Sequence, residues 1–118
     1  MNFGIIGVGS FGIKRAKAIQ NSTGSLVKIY DVNKENLKKA SEELKIDSTN
    51  NLNEVFDDEK INAICICAPN KFHKELIIKG IKAGKHVFCE KPIATSVAEG
   101  QEILSAYKKF KCKSSNWI

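Results

Sequence analysis

This 118-residue sequence predicts an open α/β fold, a doubly wound parallel sheet with helices on both faces. Three observations predict it. Segments of strand length alternate with segments of helical periodicity along the whole chain. The strand segments are apolar almost throughout, as in Ile61-Asn62-Ala63-Ile64-Cys65-Ile66-Cys67-Ala68, which is the pattern of parallel strands buried on both faces. The first strand, Phe3-Gly4-Ile5-Ile6, feeds directly into Gly7-Val8-Gly9-Ser10-Phe11-Gly12, a G-x-G-x-x-G turn at which a helical pattern begins.

Taken in order, Gly12, Ala16 and Ile19 recur at helical spacing to about Gln20, and Asn21-Ser22-Thr23-Gly24 breaks the pattern. Ser25 to Asp31 reads as the second strand. Asn33 is placed to cap a second helix, with Leu37, Ala40 and Leu44 on one face and Lys34, Glu35, Lys38, Lys39, Glu42 and Glu43 on the other. Lys45 to Asp47 predicts at most a short third strand, and Asn51 with Glu54 a capping pair for a brief helix through Val55 and Phe56. The run 61–68 is the fourth strand, stopped by Pro69-Asn70. Asn70 is then expected to cap a helix that turns Phe72, Leu76, Ile77 and Ile81 inward and stops at Gly84. His86 to Cys89 is a fifth strand. Ser96 and Glu99 read as a cap for a last helix with Leu104, Tyr107 and Phe110 inside, and Lys111 to Ile118 as a final strand.

In such a sheet, ligands sit beyond the carboxyl ends of the strands, where strand order reverses. The glycine turn, Asp31, Pro69-Asn70 and Glu90-Lys91-Pro92 all fall at such ends. Gly7 permits a sharp turn off the strand, Gly9 leaves the backbone bare for a pyrophosphate, and Gly12 lets the helix lie close to the sheet. The amides at that helix start have no intrahelical acceptor and sit at the positive end of the helix dipole, which suits an anionic phosphate. Asp31 lies at the offset where a carboxylate accepts from a ribose 2′-hydroxyl. The competing reading is a ligand-free glycine turn.

The length fits one domain. The net charge of +6 arises wholly in residues 71–118, with ten Lys or Arg against four Asp or Glu. Lys71, Lys74, Lys79, Lys82 and Lys85 flank an apolar helical stripe without interleaved aromatics, so they read as solvated helix faces and no nucleic-acid partner is expected. None of Cys65, Cys67, Cys89 and Cys112 has C-x-x-C spacing, and no metal site or structural disulfide is expected. Cys65 and Cys67 share a strand face and read as small buried hydrophobes. Met1-Asn2-Phe3 enters the first strand without a charged and apolar leader, and there is no run of about eighteen apolar residues. The expectation is a soluble, cytoplasmic protein with no membrane partner.

Several separated motifs agree with one family. The sequence resembles the N-terminal Rossmann-type NAD(P)-binding domain of the glucose-fructose oxidoreductase and inositol dehydrogenase family (Gfo/Idh/MocA). The resemblance rests on Gly7 to Gly12, on Tyr30-Asp31, on Ile64-Cys65-Ile66-Cys67-Ala68-Pro69-Asn70 with His73, and on Ala83-Gly84-Lys85-His86-Val87 running into Glu90-Lys91-Pro92. It implies a domain over residues 1–118 that belongs to an oxidoreductase passing hydride between a nicotinamide cofactor and a sugar, cyclitol or related hydroxy compound. It also implies cofactor-binding positions: pyrophosphate on Gly7, Val8, Gly9, Ser10, Phe11 and Gly12, adenosine ribose on Asp31 beside Val32, and the middle of the cofactor against Cys67, Ala68, Pro69 and Asn70. Lys91 is then the expected catalytic residue near nicotinamide and substrate, where an ammonium polarises the reacting oxygen or relays its proton. Glu90 is expected to orient Lys91 or the cofactor amide, and Pro92 to fix the loop. For His73 two readings stay open, a ligand contact and a histidine satisfying local backbone groups; His86 reads as structural.

Asp31 favours NAD, because a carboxylate repels the 2′-phosphate of NADP, although Lys34 offsets part of that repulsion and keeps NADP in view. Family members continue into a large, mostly β-sheet domain that carries further catalytic groups. This sequence is therefore expected to be a domain lacking that C-terminal α+β part, binding cofactor but turning over weakly or not at all alone. The alternative is a non-catalytic dinucleotide-binding or sensing module that acts with a partner protein. The small-molecule substrate is expected only where a partner domain is present, and an unfinished sheet edge makes self-association plausible.

Overall fold

The structure is a computed structural model describing residues 1–89 and 97–110. Its strands are β1 (Asn2–Ile6), β2 (Ser25–Tyr30), β3 (Asp47–Thr49), β4 (Ala63–Ile66) and β5 (His86–Cys89). The helices are α1 (Ser10–Gln20), α2 (Lys34–Leu44), α3 (Asn53–Phe56), α4 (His73–Lys82) and α5 (Val97–Phe110). All strands are parallel, in the order β3-β2-β1-β4-β5. The chain winds outward from β1 to β3 on one side and restarts at β4 on the other, so the strand order reverses between β1 and β4. A ligand crevice belongs at the carboxyl ends of those two strands.

Alternating side chains divide the core into two layers. Ile5, Val8, Leu26 and Ile29 meet Ala16 of α1 and Leu37, Ala40 and Leu44 of α2. On the other face Ile6, Ile64, Ile66 and Val87 meet Val55 and Phe56 of α3, Leu76, Ile77 and Ile81 of α4, and Ile103 of α5. The side chains of Ile5, Ile29, Ile64, Ile66, Ile77 and Val87 are all fully buried. The continuous apolar runs follow from this, because a strand between two helix layers exposes neither face.

Helix ends follow local chemistry. The Asn33 side chain accepts from Asn36 N–H at 3.0 Å and caps α2 as expected. The end of α4 is closed by Gly84 N–H to Ile81 O and Lys85 N–H to Gly80 O, the reciprocal pair of a Schellman turn. α2 ends instead on Lys45, a non-glycine residue held at φ 53° in the left-handed region.

Several expectations are corrected. β3 lies at Asp47–Thr49 and not at Lys45 to Asp47, because Ile46 closes the α2 turn by donating to Ser41 O at 3.4 Å. Asn51 and Glu54 do not pair reciprocally. Thr49 Oγ1 takes the Asn51 N–H and donates to Glu54 Oε1, both at 3.0 Å, while Asn51 Oδ1 accepts from Asn53 N–H. Residues Asn70–Phe72 form a tight 3-10 turn, so α4 starts at His73 and Phe72 is exposed instead of facing inward. In α5 Ile103 is buried and Tyr107 packs partly against the same core, whereas Leu104 is 51% exposed; the side chain of Phe110 lies outside the described residues. Lys85 is buried instead of solvated, donating to Asp58 O at 2.9 Å and Ile61 O at 2.7 Å, and desolvation lowers its pKa. Ser96, Cys112 and the expected strand from Lys111 to Ile118 lie outside the described residues, as do Glu90, Lys91 and Pro92.

Candidate functional site

Two lips close around the crevice. The first is the glycine turn between β1 and α1. Gly7 has φ 98°, and a Cβ there would lie 2.8 Å from the Cys67 carbonyl carbon. Both the conformation and the close approach require glycine. A Cβ on Gly12 would run into the Gly7 carbonyl, so α1 can begin this close to the strand only without a side chain. Gly9 differs: the nearest atom to a Cβ there is Asn36 Nδ2, 3.9 Å away. That bare backbone faces a cradle that a side chain would fill. Ile13 N–H donates to Gly9 O at 3.0 Å, which leaves the amides of Ser10, Phe11 and Gly12 ahead of the helical ladder at the positive end of the α1 dipole. Acidic residues are absent from the first turn of α1, so nothing there opposes an anion.

Asp31 follows β2 and is bonded directly to this lip. Its Oδ2 accepts from Val8 N–H at 2.9 Å and its Oδ1 from Asn33 N–H at 2.8 Å. The acid thus fixes both the glycine turn and the entry to α2. Each carboxylate oxygen keeps a further lone pair for an external hydroxyl donor. Val32, beside it, is 81% exposed.

The second lip runs from Cys67 to His73. It is tied to the sheet by Cys67 N–H to Ile6 O at 2.8 Å, and Phe72 N–H donates to Pro69 O at 3.0 Å inside the 3-10 turn. His73 is 2% exposed, and its Nε2–H donates to Ala68 O at 2.9 Å. Of the two readings left open for this histidine, the geometry gives the second: it satisfies a backbone carbonyl from beneath the lip.

Between the lips lies a groove of about 610 Å³. Gly7, Gly9, Ser10, Phe11 and Gly12 line one side, Asp31 and Val32 one end, and Cys67, Ala68 and Pro69 the other side. Val8 contributes only its backbone, its side chain being fully buried. Sequence reasoning missed seven further walls, among them Tyr30, Asn36, Leu52, Phe72 and Glu75. Asn36 carried a usable signal, since it falls on the first turn of the helix that follows the acid. Phe72 is 42% exposed and Phe11 46%, two aromatic surfaces facing solvent at the groove. The Arg15 guanidinium lies 5.3 Å from the Phe11 ring centre and the Lys71 ammonium 5.1 Å from that of Phe72. His86, by contrast, starts β5 at the opposite edge of the sheet.

Cys65 and Cys67 are half-buried, not fully buried as the sequence suggested, and their sulfurs are 3.9 Å apart. The contact, helped by Arg15, holds the Cys65 thiol below its ordinary pKa, and the same contact with burial pushes Cys67 up. Cys89 is pushed up to about 12, chiefly by burial.

A dinucleotide fits this groove on its own chemistry: an empty cradle over Gly9, amides at a helix start, and a carboxylate at the hydroxyl-binding end. Comparison with known proteins agrees. Residues 1–116 match the model of the Gfo/Idh/MocA oxidoreductase family, described as an NAD-binding Rossmann fold. The chain is 33% identical to an uncharacterized oxidoreductase of Streptococcus pneumoniae, over 98% of its own length and 30% of the relative's. It is 31% identical to the myo-inositol 2-dehydrogenase of Thermotoga maritima, over 92% of this chain and 33% of that one. The crystal structure of a putative myo-inositol dehydrogenase from Sinorhizobium meliloti superposes with a TM-score of 0.90 at 27% identity, covering 96% of this chain and 34% of that one. The chain therefore spans about a third of the length of the relatives it matches. With strand order, glycine turn, acid and family model in agreement, this chain belongs to the Gfo/Idh/MocA oxidoreductases and carries their NAD-binding Rossmann domain.

Proposed function

We propose that the groove holds a nicotinamide dinucleotide with its pyrophosphate over Gly7, Gly9, Ser10, Phe11 and Gly12 and its adenosine ribose on Asp31. The observation supporting this reading is the 2.9 Å bond from Val8 N–H to Asp31 Oδ2. It fixes the phosphate-facing turn and the ribose-facing carboxylate in one rigid unit, so the two recognition elements need no rearrangement to act together. Val32 and Asn36 flank the ribose end. Cys67, Ala68, Pro69 and Asn70 face the middle of the cofactor, with His73 setting the position of Ala68 from below. With a carboxylate at the ribose, NAD is favoured over NADP.

The bound cofactor supplies the hydride acceptor or donor. Lys91, which follows β5 in sequence, is the group we assign to the reacting oxygen of a sugar, cyclitol or related hydroxy compound. Its ammonium polarises a carbonyl in one direction and takes up or relays the hydroxyl proton in the other. Glu90 is the group we assign to orienting Lys91 or the cofactor amide, and Pro92 to restricting the backbone after it. We place the activity in the cytoplasm: Cys65 and Cys67 are thiols in contact without a disulfide between them, in keeping with a reducing compartment. No helix among the described residues is long and apolar enough to cross a membrane.

Fluorescence titration with NADH and NADPH, paired with thermal unfolding, tests the reading. Saturable NADH binding that raises the melting temperature, and weaker binding of NADPH, is expected. Absence of any thermal shift with either cofactor at millimolar concentration would overturn it.

A further inference from the structure

We propose that the groove reads the base of the dinucleotide, with Phe72 stacking on an adenine and the Glu75 carboxylate accepting from its 6-amino group. This rests on the cofactor reading above, which leaves one wall of the groove without a task. Once the pyrophosphate lies on the glycine turn and the ribose on Asp31, the base is a single glycosidic bond beyond that acid. The wall next to it is apolar. Tyr30, Leu52, Phe72 and Leu76 all line the groove. Tyr30 and Leu52 pack against the core layer that contains Leu76, so this wall gathers on the α3 and α4 side of the sheet, away from α1. Phosphates and sugar hydroxyls gain nothing from such a wall, whereas a flat heterocycle does. Phe72 supplies the platform. Its side chain is 42% exposed at the groove, and the Lys71 ammonium takes one face of the ring and leaves one for a base.

Glu75 follows Phe72 by one helical turn and lines the same groove. Among the described residues it joins no ion pair and accepts no hydrogen bond, and its neighbour Lys74 is taken by Glu102 at 3.2 Å. A carboxylate left open beside an anionic ligand repels it unless the ligand returns a donor. The 6-amino group of adenine is such a donor, and a carboxylate, which only accepts, is matched to it. Hypoxanthine and guanine carry an oxygen at that position, whose lone pairs would face those of Glu75. The aromatic wall takes any base, and the acid rejects a 6-oxo purine. Together they select adenine.

The test is fluorescence titration of the full chain with NADH and with its reduced hypoxanthine analogue, which differ in the group at position 6 of the base and share the reporting nicotinamide. NADH is expected to bind about tenfold more tightly. Glu75→Gln offers the base a donor as well as an acceptor, so the two affinities should come within about twofold of each other. Taking their ratio cancels the general effect of removing a charge. Phe72→Ala should weaken both ligands by at least about fivefold and leave their ratio unchanged, and Phe72→Tyr should restore binding. ADP-ribose, which has no nicotinamide, should lose as much affinity as NADH in Phe72→Ala when followed by calorimetry. Equal affinities for the two dinucleotides in the unmodified chain, a ratio that survives Glu75→Gln, or ADP-ribose binding untouched by Phe72→Ala would each overturn the base assignment while leaving the cofactor reading intact. Failure of both dinucleotides to bind would overturn that reading, and this one with it.

Discussion

The two lips of the groove reach a similar rigidity by opposite means. The glycine lip is held by what is absent. Gly7 and Gly12 bring two backbone segments into contact that any side chain would separate, and Asp31 then locks the turn through Val8 N–H. The Cys67–His73 lip is held by what is present, a buried imidazole under the Ala68 carbonyl and a tight turn at Pro69. A lip made by close backbone approach fails when anything is added to it. A lip made by a buried side chain fails when something is removed.

Breaking the first lip should have the largest effect. Gly12→Ala places a methyl group in the Gly7 carbonyl, so α1 must shift, and a loss of about 3 kcal/mol or more is expected in urea unfolding. His73→Ala strips the other lip, leaving Ala68 O without its donor and a void where a buried ring stood; a loss of about 2–3 kcal/mol is expected. NADH affinity should fall with it, because Ala68 and Pro69 lose their support. Asp31→Ala removes the acceptor from two backbone amides at a half-exposed position and should cost about 1–2 kcal/mol. It should also weaken NADH more than NADPH, so the ratio of the two affinities, measured by fluorescence, moves toward NADPH. A control away from both lips is Lys45→Gly, which relieves a left-handed residue and should raise stability by about 0.5–1 kcal/mol with no change in cofactor binding.

The same contrast explains what could be read from the chain. Backbone constraints at the glycine lip write themselves as Gly7, Gly9 and Gly12, and the acid at the end of β2 falls at a fixed offset, so that lip was legible. At the other lip the residue types were found, but the role of His73 depends on which carbonyl its ring reaches. That is a property of the 3-10 turn at Asn70–Phe72, and sequence spacing does not carry it. The same turn exposes Phe72. In α5, Ile103 and Leu104 are adjacent apolar residues, and periodicity alone did not decide which of them packs against α4. Lys85 was misread because burial of its amine depends on two carbonyls, Asp58 O and Ile61 O, that lie more than twenty residues away. Strand alternation put Cys65 and Cys67 on one face, but their half-exposure reflects the trough beside α1, which depends on how the helix packs over β4.

Gly9 separates fold from function more cleanly than any other position, because a Cβ there meets nothing closer than 3.9 Å. The decisive measurement is NADH titration of Gly9→Ala beside the unmodified chain, with urea unfolding of both. A pyrophosphate seated on this turn predicts unfolding free energies equal within about 0.5 kcal/mol and an NADH affinity reduced at least tenfold. Equal stability with undiminished NADH affinity would contradict it.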